Sequence, residues 1–251
     1  DNNITQVYYS AVANTLYYSF HGQRVDLEEV SFNSKSNSLQ QLNSSLVDST
    51  ASYSADGTTI YFASDRSGDF ELYSYRIASS MLQKVSQLNA TRIWHYSISN
   101  DHEKVAIVYS TDHIRLAVIA LASGTIINSV PLEELKFPLN WSKDDKQISI
   151  SEHRSNIAMY LYDAEQLTIE KKRPHLGLTA VELNHREVLA FDYQTKRFVT
   201  YNFNTEQIEA MSVPLQNYAA FAPHNTYSDG KQVMILHSDG MKKNRSSHSA
   251  L

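Results

Sequence analysis

The chain has 251 residues, a formal net charge of −5 and no cysteine. The lack of cysteine excludes disulfides, thiol catalysis and zinc–thiolate sites. The negative charge is spread evenly, so we expect no direct contact of this domain with nucleic acid. No apolar run reaches the ~18 residues of a membrane span, and no signal-peptide pattern is present. Because the chain begins at Asp1 without methionine, we expect a processed product or an excised domain.

A strand–turn–strand pattern recurs along the chain and is strongest at residues 53–74. In that copy a turn around Asp56 and Gly57 precedes an apolar run at 60–63, and a second turn precedes an alternating strand at 70–75. We take the apolar residue after the first turn of each copy as its marker. In chain order the markers are Leu16, Ile60, Val105, Ile148, Val188 and Val233. Intervals of 40 to 45 residues are typical of four-stranded propeller blades.

Three copies of the first turn align without gaps, at residues 54–60, 99–105 and 142–148, and a fourth is partial. Asp side chains bond to their own backbone in such turns, and glycine permits a positive φ. The second and third copies have His102 and Asp145 in place of glycine. Both residue types tolerate positive φ, which we therefore expect there. The residues assigned to the structural repeat motif are Asp56, Gly57, Asp65, Arg66, Asp101, Trp141, Asp144, Asp229 and Gly230.

Strand composition follows the same order in each repeat. The runs at 60–63, 105–109, 188–191 and 233–236 are rich in β-branched and aromatic residues and are apolar on both faces. Such runs favour strands enclosed between neighbouring sheets. Alternating strands such as 158–162 follow, and then polar outer strands such as 81–85. Leu132 to Leu135 are predicted to form one helical turn between blades.

The even repeat predicts a single all-β domain at residues 4–240, a six-bladed β-propeller, followed by a polar tail at 241–251. The approximate blades are 4–46, 47–90, 91–135, 136–177, 178–215 and 216–240. Because the sixth unit is short, either the last blade lacks an outer strand or the N-terminal segment 4–9 helps to close the ring. Closure matters since an open propeller exposes sheet edges.

The sequence contains no motif of known catalytic chemistry, so we expect a protein that is not an enzyme and has no cofactor. It has no nucleophile elbow and no glycine-rich phosphate loop. The ten histidines form no pair with metal-ligand spacing, and we expect no metal site. Paired carboxylates such as Asp144 and Asp145 lie in polar, turn-like segments and are interpreted as solvated. Adjacent residues on a strand point to opposite faces, so such a pair is not expected to form a two-carboxylate site. Asp65 and Arg66 are interpreted as a structural ion pair or strand tie.

Three residues are candidates for binding a ligand or a partner: Trp94, His95 and Phe137. Trp94 and Phe137 each lie 11 residues before their marker, where an innermost strand begins. The starts of innermost strands border the central channel, and aromatic rings there stack on ligands or anchor a partner protein. The alternative is that these rings only fill the gap between blades. Trp141 lies inside the repeat motif and is expected in the core.

Residues 53–73, with Ser54, Asp56-Gly57, Ser64-Asp65-Arg66 and the Gly68 turn, closely resemble the propeller repeat of TolB and its relatives. Ala55 replaces the usual proline, and the other copies match less well. The resemblance implies a six-bladed propeller. Such domains form the Pal-binding half of TolB, the periplasmic sensor part of membrane-anchored winged-helix transcription regulators of the ToxR/CadC type, the gating domain of prolyl-oligopeptidase-like peptidases and the body of oligogalacturonate lyase.

By this resemblance, the expected function is a non-catalytic binding or sensing module in the bacterial periplasm. It most resembles the sensor domain of a membrane-anchored regulator, which would bind a small ligand or an envelope protein at the channel mouth. Its membrane span would lie outside this chain. One alternative is a TolB-like periplasmic protein-interaction scaffold. A second is a channel-centred metal-dependent lyase or hydrolase, which would require several histidines from different blades to converge on the channel.

Overall fold

The computed structural model describes only part of the chain. The described backbone covers residues 3–10, 15–21, 27–31, 37–38, 42, 44, 47–54, 56–152, 157–184, 187–210, 221–228 and 233–237. The described side chains are those of residues 27, 42, 44, 47–54, 56–136, 139–152, 157–177 and 187–210. No helix in this part of the chain is both long enough and apolar enough to cross a membrane.

The described strands form six antiparallel sheets, numbered here in chain order. Sheet 1 contains β1 (Asn3–Ser10), β2 (Thr15–His21), β3 (Leu27–Ser31) and β4 (Asn37–Ser38). Sheet 2 contains β5 (Asp48–Tyr53), β6 (Thr59–Ser64), β7 (Glu71–Arg76) and β8 (Met81–Lys84). Sheet 3 contains β9 (Arg92–Ile98), β10 (Lys104–Ser110), β11 (Ile114–Ala120) and β12 (Ile126–Pro131).

Sheets 4 and 5 repeat this four-stranded order, and two strands of sheet 6 are described. Sheet 4 contains β13 (Lys136–Trp141), β14 (Gln147–Glu152), β15 (Ala158–Asp163) and β16 (Ile169–Pro174). Sheet 5 contains β17 (Leu176–Asn184), β18 (Glu187–Asp192), β19 (Arg197–Asn202) and β20 (Ile208–Ala210). Sheet 6 contains β21 (Phe221–Ser228) and β22 (Val233–His237). Each strand pairs with the next in sequence, as in a meander.

The repeat register derived from sequence is confirmed. Every marker residue is the first or second residue of the second strand in its sheet: Leu16, Ile60, Val105, Ile148, Val188 and Val233. The runs at 105–109 and 188–191 are enclosed as expected, since all their residues are buried; the side chains of the run at 233–236 lie outside the described residues. Strands that are covered on both sides need no polar face, which is why these runs lack alternation.

The first strands of the sheets contact one another in a series that links all six sheets. β9 contacts β13, β13 contacts β17, β17 contacts β21, and β21 contacts β1, which in turn contacts β5. Together with the four-stranded sheets, this is the all-β propeller class predicted from sequence. The count of six blades and the blade boundaries stay predictions. Segment 4–9 lies in β1, which pairs with β2, and the tail at 241–251 lies outside the described residues.

The core is divided into clusters that lie between consecutive sheets. One cluster joins sheets 1 and 2 around Phe62, and another joins sheets 2 and 3 around Leu72 and Ile107. A third joins sheets 3 and 4 around Leu116 and Ile150, and a fourth joins sheets 4 and 5. Each of these clusters draws its buried residues from two sheets, so each of sheets 1 to 5 depends on a neighbour for the free energy of burial.

The three aligned turns have the same hydrogen bonds. In the first copy, Ser54 Oγ donates to Asp56 Oδ1 (2.6 Å) and accepts from Thr59 N (3.0 Å). The pairs Ser99–Asp101 and Ser142–Asp144 repeat this at 2.6 and 2.7 Å. Backbone φ is +71° at Gly57, +59° at His102 and +55° at Asp145, as predicted. The fourth copy, with Asp229 and Gly230, lies outside the described residues.

The predicted helical turn at 132–135 is wrong, because these residues form a bend between β12 and β13. Leu132 N donates to Ile114 O of the neighbouring strand (2.8 Å), which a helical turn would not provide. Leu132 and Leu135 are both buried in the cluster between sheets 3 and 4. Their spacing reflects two inward-facing residues that flank the exposed Glu133 and half-buried Glu134 rather than one face of a helix.

Candidate functional site at the start of the first strands

The first strand of every sheet is irregular near its start. The pairing of β9 with β10 shifts between Ile93 and His95, so Trp94 is the extra residue of a β-bulge. The pairing of β5 with β6 shifts after Ser49, and that of β13 with β14 shifts between Lys136 and Leu139. A bulge bends its strand and redirects one side chain, and bulges are frequent beside binding sites.

The bulge in β9 places two adjacent side chains on the same side of the sheet. Trp94 is half-buried and packs against the cluster between sheets 3 and 4. His95 faces the same neighbour, since its Nδ1 accepts a hydrogen bond from Leu139 N (3.3 Å). The indole of Trp94 is fixed by its Nε1, which donates to Ser110 Oγ on β10 (2.6 Å). The ring is therefore held in one orientation with part of its surface open.

Arg92 lies two residues before Trp94 and is exposed. Its Cζ is 4.1 Å from the centroid of the Trp94 ring, so the guanidinium stacks on the indole. Such a contact contributes about 0.5–1 kcal/mol at an exposed position and lowers the side chain's freedom. Among the described residues, no acceptor lies within hydrogen-bond distance of the Arg92 N–H groups. Trp94 and Arg92 together are called the Arg–Trp pair below.

The other two candidate residues are placed differently. His95 is only 9% exposed and serves as a link between β9 and β13. Phe137 lies in the irregular start of β13, as expected for a residue at the beginning of a first strand, but its side chain is outside the described residues. The structure thus brings Trp94 and His95 together and leaves the position of the Phe137 ring open.

Two aromatic side chains connect β9, the strand that carries the Arg–Trp pair, to the neighbouring sheets by hydrogen bonds. The hydroxyl of Tyr96 lies 2.5 Å from Thr50 O and 2.8 Å from Tyr61 O in sheet 2. On the other side, Trp141 Nε1 donates to Ser97 O (2.8 Å), and its ring is 6% exposed in the core. These bonds cross from sheet to sheet, so β9 is held from both directions just after the Arg–Trp pair.

Asp65 and Arg66 lie at the same end of sheet 2, where they link structural elements. Arg66 pairs with the buried Asp48 at 2.7 Å and also donates to Leu42 O. Asp65 Oδ1 accepts from Val47 N (2.8 Å). The guanidinium of Arg66 also lies 4.8 Å from the centroid of Phe62. These contacts fix the link from sheet 1 to β5, in keeping with the structural interpretation of this motif.

The solvated interpretation of Asp144 and Asp145 does not describe Asp145. Its carboxylate accepts hydrogen bonds from Asn100 N (2.8 Å) and Asp101 N (2.9 Å) in the preceding repeat. Asp145 thereby caps the turn of sheet 3 from sheet 4. Among the described side chains, no group of three His, Asp or Glu is placed to hold a metal ion. Several histidines lie outside that set, so convergence of histidines on the channel stays untested.

Arg92 is the residue of this site that sequence reasoning missed. The sequence did contain a pattern for it, because residues i and i+2 of a strand lie on the same face, and Arg-Ile-Trp at 92–94 satisfies that spacing. The bulge at Trp94, by contrast, has no pattern in the sequence. It depends on how β9 is enclosed between sheets 2 and 4.

Comparisons with solved structures support the architecture. TolB from Acinetobacter baumannii matches with a TM-score of 0.57 and 14% identity over 67% of this chain and 42% of TolB. Acylaminoacyl peptidase from Pyrococcus horikoshii matches at 0.62 and 11% over 84% of this chain and 39% of the peptidase. The β-propeller domain of the Trilobed protease from Pyrococcus furiosus matches at 0.60 and 12%, covering 86% and 73%.

No protein-family model matches the sequence, and no curated protein matches it. The chain is similar to β-propeller domains, including that of TolB, and at these identities the likeness shows the fold alone. It spans less than half the length of the TolB chain and of the acylaminoacyl peptidase chain. Because 1041 solved chains match, likeness to any one of them carries no function by itself.

The expectation that this protein is not an enzyme needs correction. Two of the similar structures belong to peptidases, an acylaminoacyl peptidase and the Trilobed protease. The inference from missing catalytic motifs was too broad, because a propeller without such motifs also occurs within enzymes. The fold therefore gives no ground for placing the whole protein outside enzymes.

Proposed function

We propose that this propeller is a protein-interaction scaffold, and that it docks a partner on the face where the first strands begin. The observation that carries the proposal is the Arg–Trp pair on this face. Arg92 is exposed and Trp94 is half-buried, and the Trp94 indole is held by its hydrogen bond to Ser110. Tryptophan and arginine are the residue types most enriched at the energetic centres of protein interfaces. The likeness to TolB and to other propeller domains supports a binding role in a general way.

The hydrogen bonds that hold β9 in place favour a docking role. The strand β9 is bonded to both neighbouring sheets through His95, Tyr96 and Ser97, the three residues that follow Trp94. A partner that binds there meets side chains that are already ordered, so less entropy is lost on association. This role holds whether or not the full protein also carries a catalytic domain.

The experiment is site-specific photo-crosslinking followed by a binding measurement. A photoreactive residue at exposed Thr91, beside Arg92, should capture the partner, whereas one at exposed Glu165, in the turn between β15 and β16, should not. With the purified partner, Trp94→Ala is expected to weaken binding by about 2 kcal/mol, or about 30-fold. The matched control is Ile169→Ala, which removes a 54% exposed apolar side chain from an outer strand. Equal affinities of Trp94→Ala and the unaltered protein would overturn the proposal.

More specific roles are part of the proposal without support from the comparisons. A periplasmic location and a sensor role within a membrane-anchored transcription regulator rest on the resemblance of residues 53–73 to the TolB-type repeat. The sequence of the gene upstream of Asp1 tests them. A single apolar span preceded by a winged-helix domain is expected for the regulator. A cleavable signal peptide that leads directly into Asp1 would exclude it.

A further inference from the structure

We propose that the Arg–Trp pair is a receptor for a single carboxylate, so that the partner presents an acidic side chain or a chain terminus to Arg92. The inference rests on the proposed function and adds the chemistry of the partner group. It starts from the guanidinium of Arg92, which is exposed and stacked at 4.1 Å on a fixed indole.

The stack prepares the guanidinium for a planar, bidentate contact. Arginine presents its N–H donors in one plane, which matches the two oxygens of a carboxylate. Stacking uses the face of the guanidinium and leaves the N–H edge free. Because the indole is fixed by its bond to Ser110, the edge has a defined direction before any ligand arrives. Among the described residues no carboxylate already occupies that edge.

Residues around the pair favour one negative charge over two. Asp112 lies in the turn that follows Ser110, and Ser110 pairs directly with Arg92 across β9 and β10. Bonds from Thr111 Oγ1 (2.7 Å) and His113 N (2.9 Å) to Asp112 Oδ1 favour its ionised form. A phosphate dianion would bring two negative charges to one guanidinium, whereas a carboxylate brings one. A carboxylate requires only the planar pair of N–H donors that one guanidinium presents.

Neighbouring arginines differ from Arg92 in ways that supply controls. Arg66 is committed to the buried Asp48, and Arg115 donates through Nε to Ser129 Oγ (2.9 Å). Arg76, at the end of β7, is exposed and has no aromatic ring stacked on it among the described residues. Arg76 therefore carries the same charge without the fixed orientation, and it separates a built receptor from simple attraction.

The test is an NMR titration of the full 251-residue chain with a tetraglutamate peptide at low ionic strength. The signals to follow are the Trp94 indole N–H and the Arg92 Nε–H. We expect both to shift with saturation, and we expect tetraglutamine with an amidated C-terminus, which has no carboxylate, to shift neither at the same concentration. Arg92→Gln should weaken the response about tenfold or more, as removal of a charge-assisted pair does. Arg76→Gln should leave it unchanged.

The Arg92→Lys variant tests whether binding requires the planar pair of guanidinium N–H donors. Arg92→Lys keeps the positive charge but loses the planar pair of donors, and we expect it to resemble Arg92→Gln. If the lysine variant binds tetraglutamate as tightly as the unaltered protein, the proposal of a carboxylate receptor is wrong, and the binding reflects attraction between charges alone. Saturation by inorganic phosphate in place of the peptide would also overturn it. Neither result affects docking at Trp94, which the crosslinking experiment tests separately.

Discussion

At the scale of single residues, each of the three aligned turns is held by a serine and an aspartate two positions apart. The carboxylate of Asp56 accepts from Ser54 Oγ at 2.6 Å and from Thr58 N at 3.0 Å. These bonds favour the ionised form, and they lower the pKa of Asp56 to about 2, with the Ser54 hydroxyl as the largest cause. The same arrangement lowers the pKa of Asp101.

Folding lowers the pKa of Asp56, and this fixes the direction of its pH dependence. Its hydrogen bonds stabilise the fold fully above the unfolded pKa of about 3.9, and that contribution is lost as pH falls towards the folded value. We predict that Ser54→Ala raises the Asp56 pKa towards its ordinary range, measured by NMR titration of the carboxyl carbon. Ser67→Ala, in the next turn, is the control and should not move it. An unchanged pKa in Ser54→Ala would contradict the assignment.

At the scale of elements, a turn of sheet 3 packs closely against the segment that links sheets 2 and 3. The turn between β11 and β12 contains Gly124 with φ of +70°. A Cβ at this position would lie 2.5 Å from Val85 O, in the link between sheets 2 and 3. Both the backbone conformation and the close approach therefore require glycine.

Gly124→Ala is predicted to destabilise the protein more than Gly68→Ala does. Gly68 also has a positive φ, +105°, but no atom lies within 4 Å of the place that a Cβ would take there. The Gly68 variant should lose about 1 kcal/mol through backbone strain alone, and the Gly124 variant at least about 2 kcal/mol more. Urea unfolding measures both free energies. Equal losses would mean that the turn moves away from Val85 without cost.

At the scale of the whole molecule, stability is shared around the sheets. Leu72 of sheet 2 lies in the cluster with sheet 3, whereas Trp141 of sheet 4 lies in the cluster between sheets 3 and 4. The two residues have no cluster in common. Sheet 3 nevertheless contributes to both clusters, so loss of sheet 2 uncovers one face of sheet 3 and weakens its hold on sheet 4.

We therefore predict that Leu72→Ala lowers the urea midpoint reported by Trp141 fluorescence. The chain has two tryptophans, so a Trp94→Phe background leaves Trp141 as the single fluorescent reporter. In that background we expect Leu72→Ala to cost about 2–5 kcal/mol. The urea midpoints from Trp141 fluorescence and circular dichroism should shift together. Leu82→Ala, the same change at a 40% exposed position in sheet 2, is the control. A shift by circular dichroism alone would indicate that the sheets unfold independently.

The periodic part of this molecule was readable from the sequence. The markers from Leu16 to Val233 occupy equivalent places in six sheets, and positive φ at His102 and Asp145 followed from residue type. Both are local properties, because strand patterns repeat with the chain and a turn of seven residues contains its own hydrogen bonds. The helical turn at 132–135 failed because its two leucines face a core that local spacing does not reveal.

Tertiary structure alone decided where the exceptional side chains go. The bulge at Trp94 depends on the sheets that enclose β9. The burial of His95 against Leu139 and the cap from Asp145 to the turn at 99–102 both join residues more than 40 positions apart. Such contacts depend on how neighbouring sheets are packed, which a repeat pattern does not specify. The sequence by itself determined the repeating strand, the turn and the propeller class. Packing between sheets determined which aromatic residue stands open beside an arginine and which lies in the core.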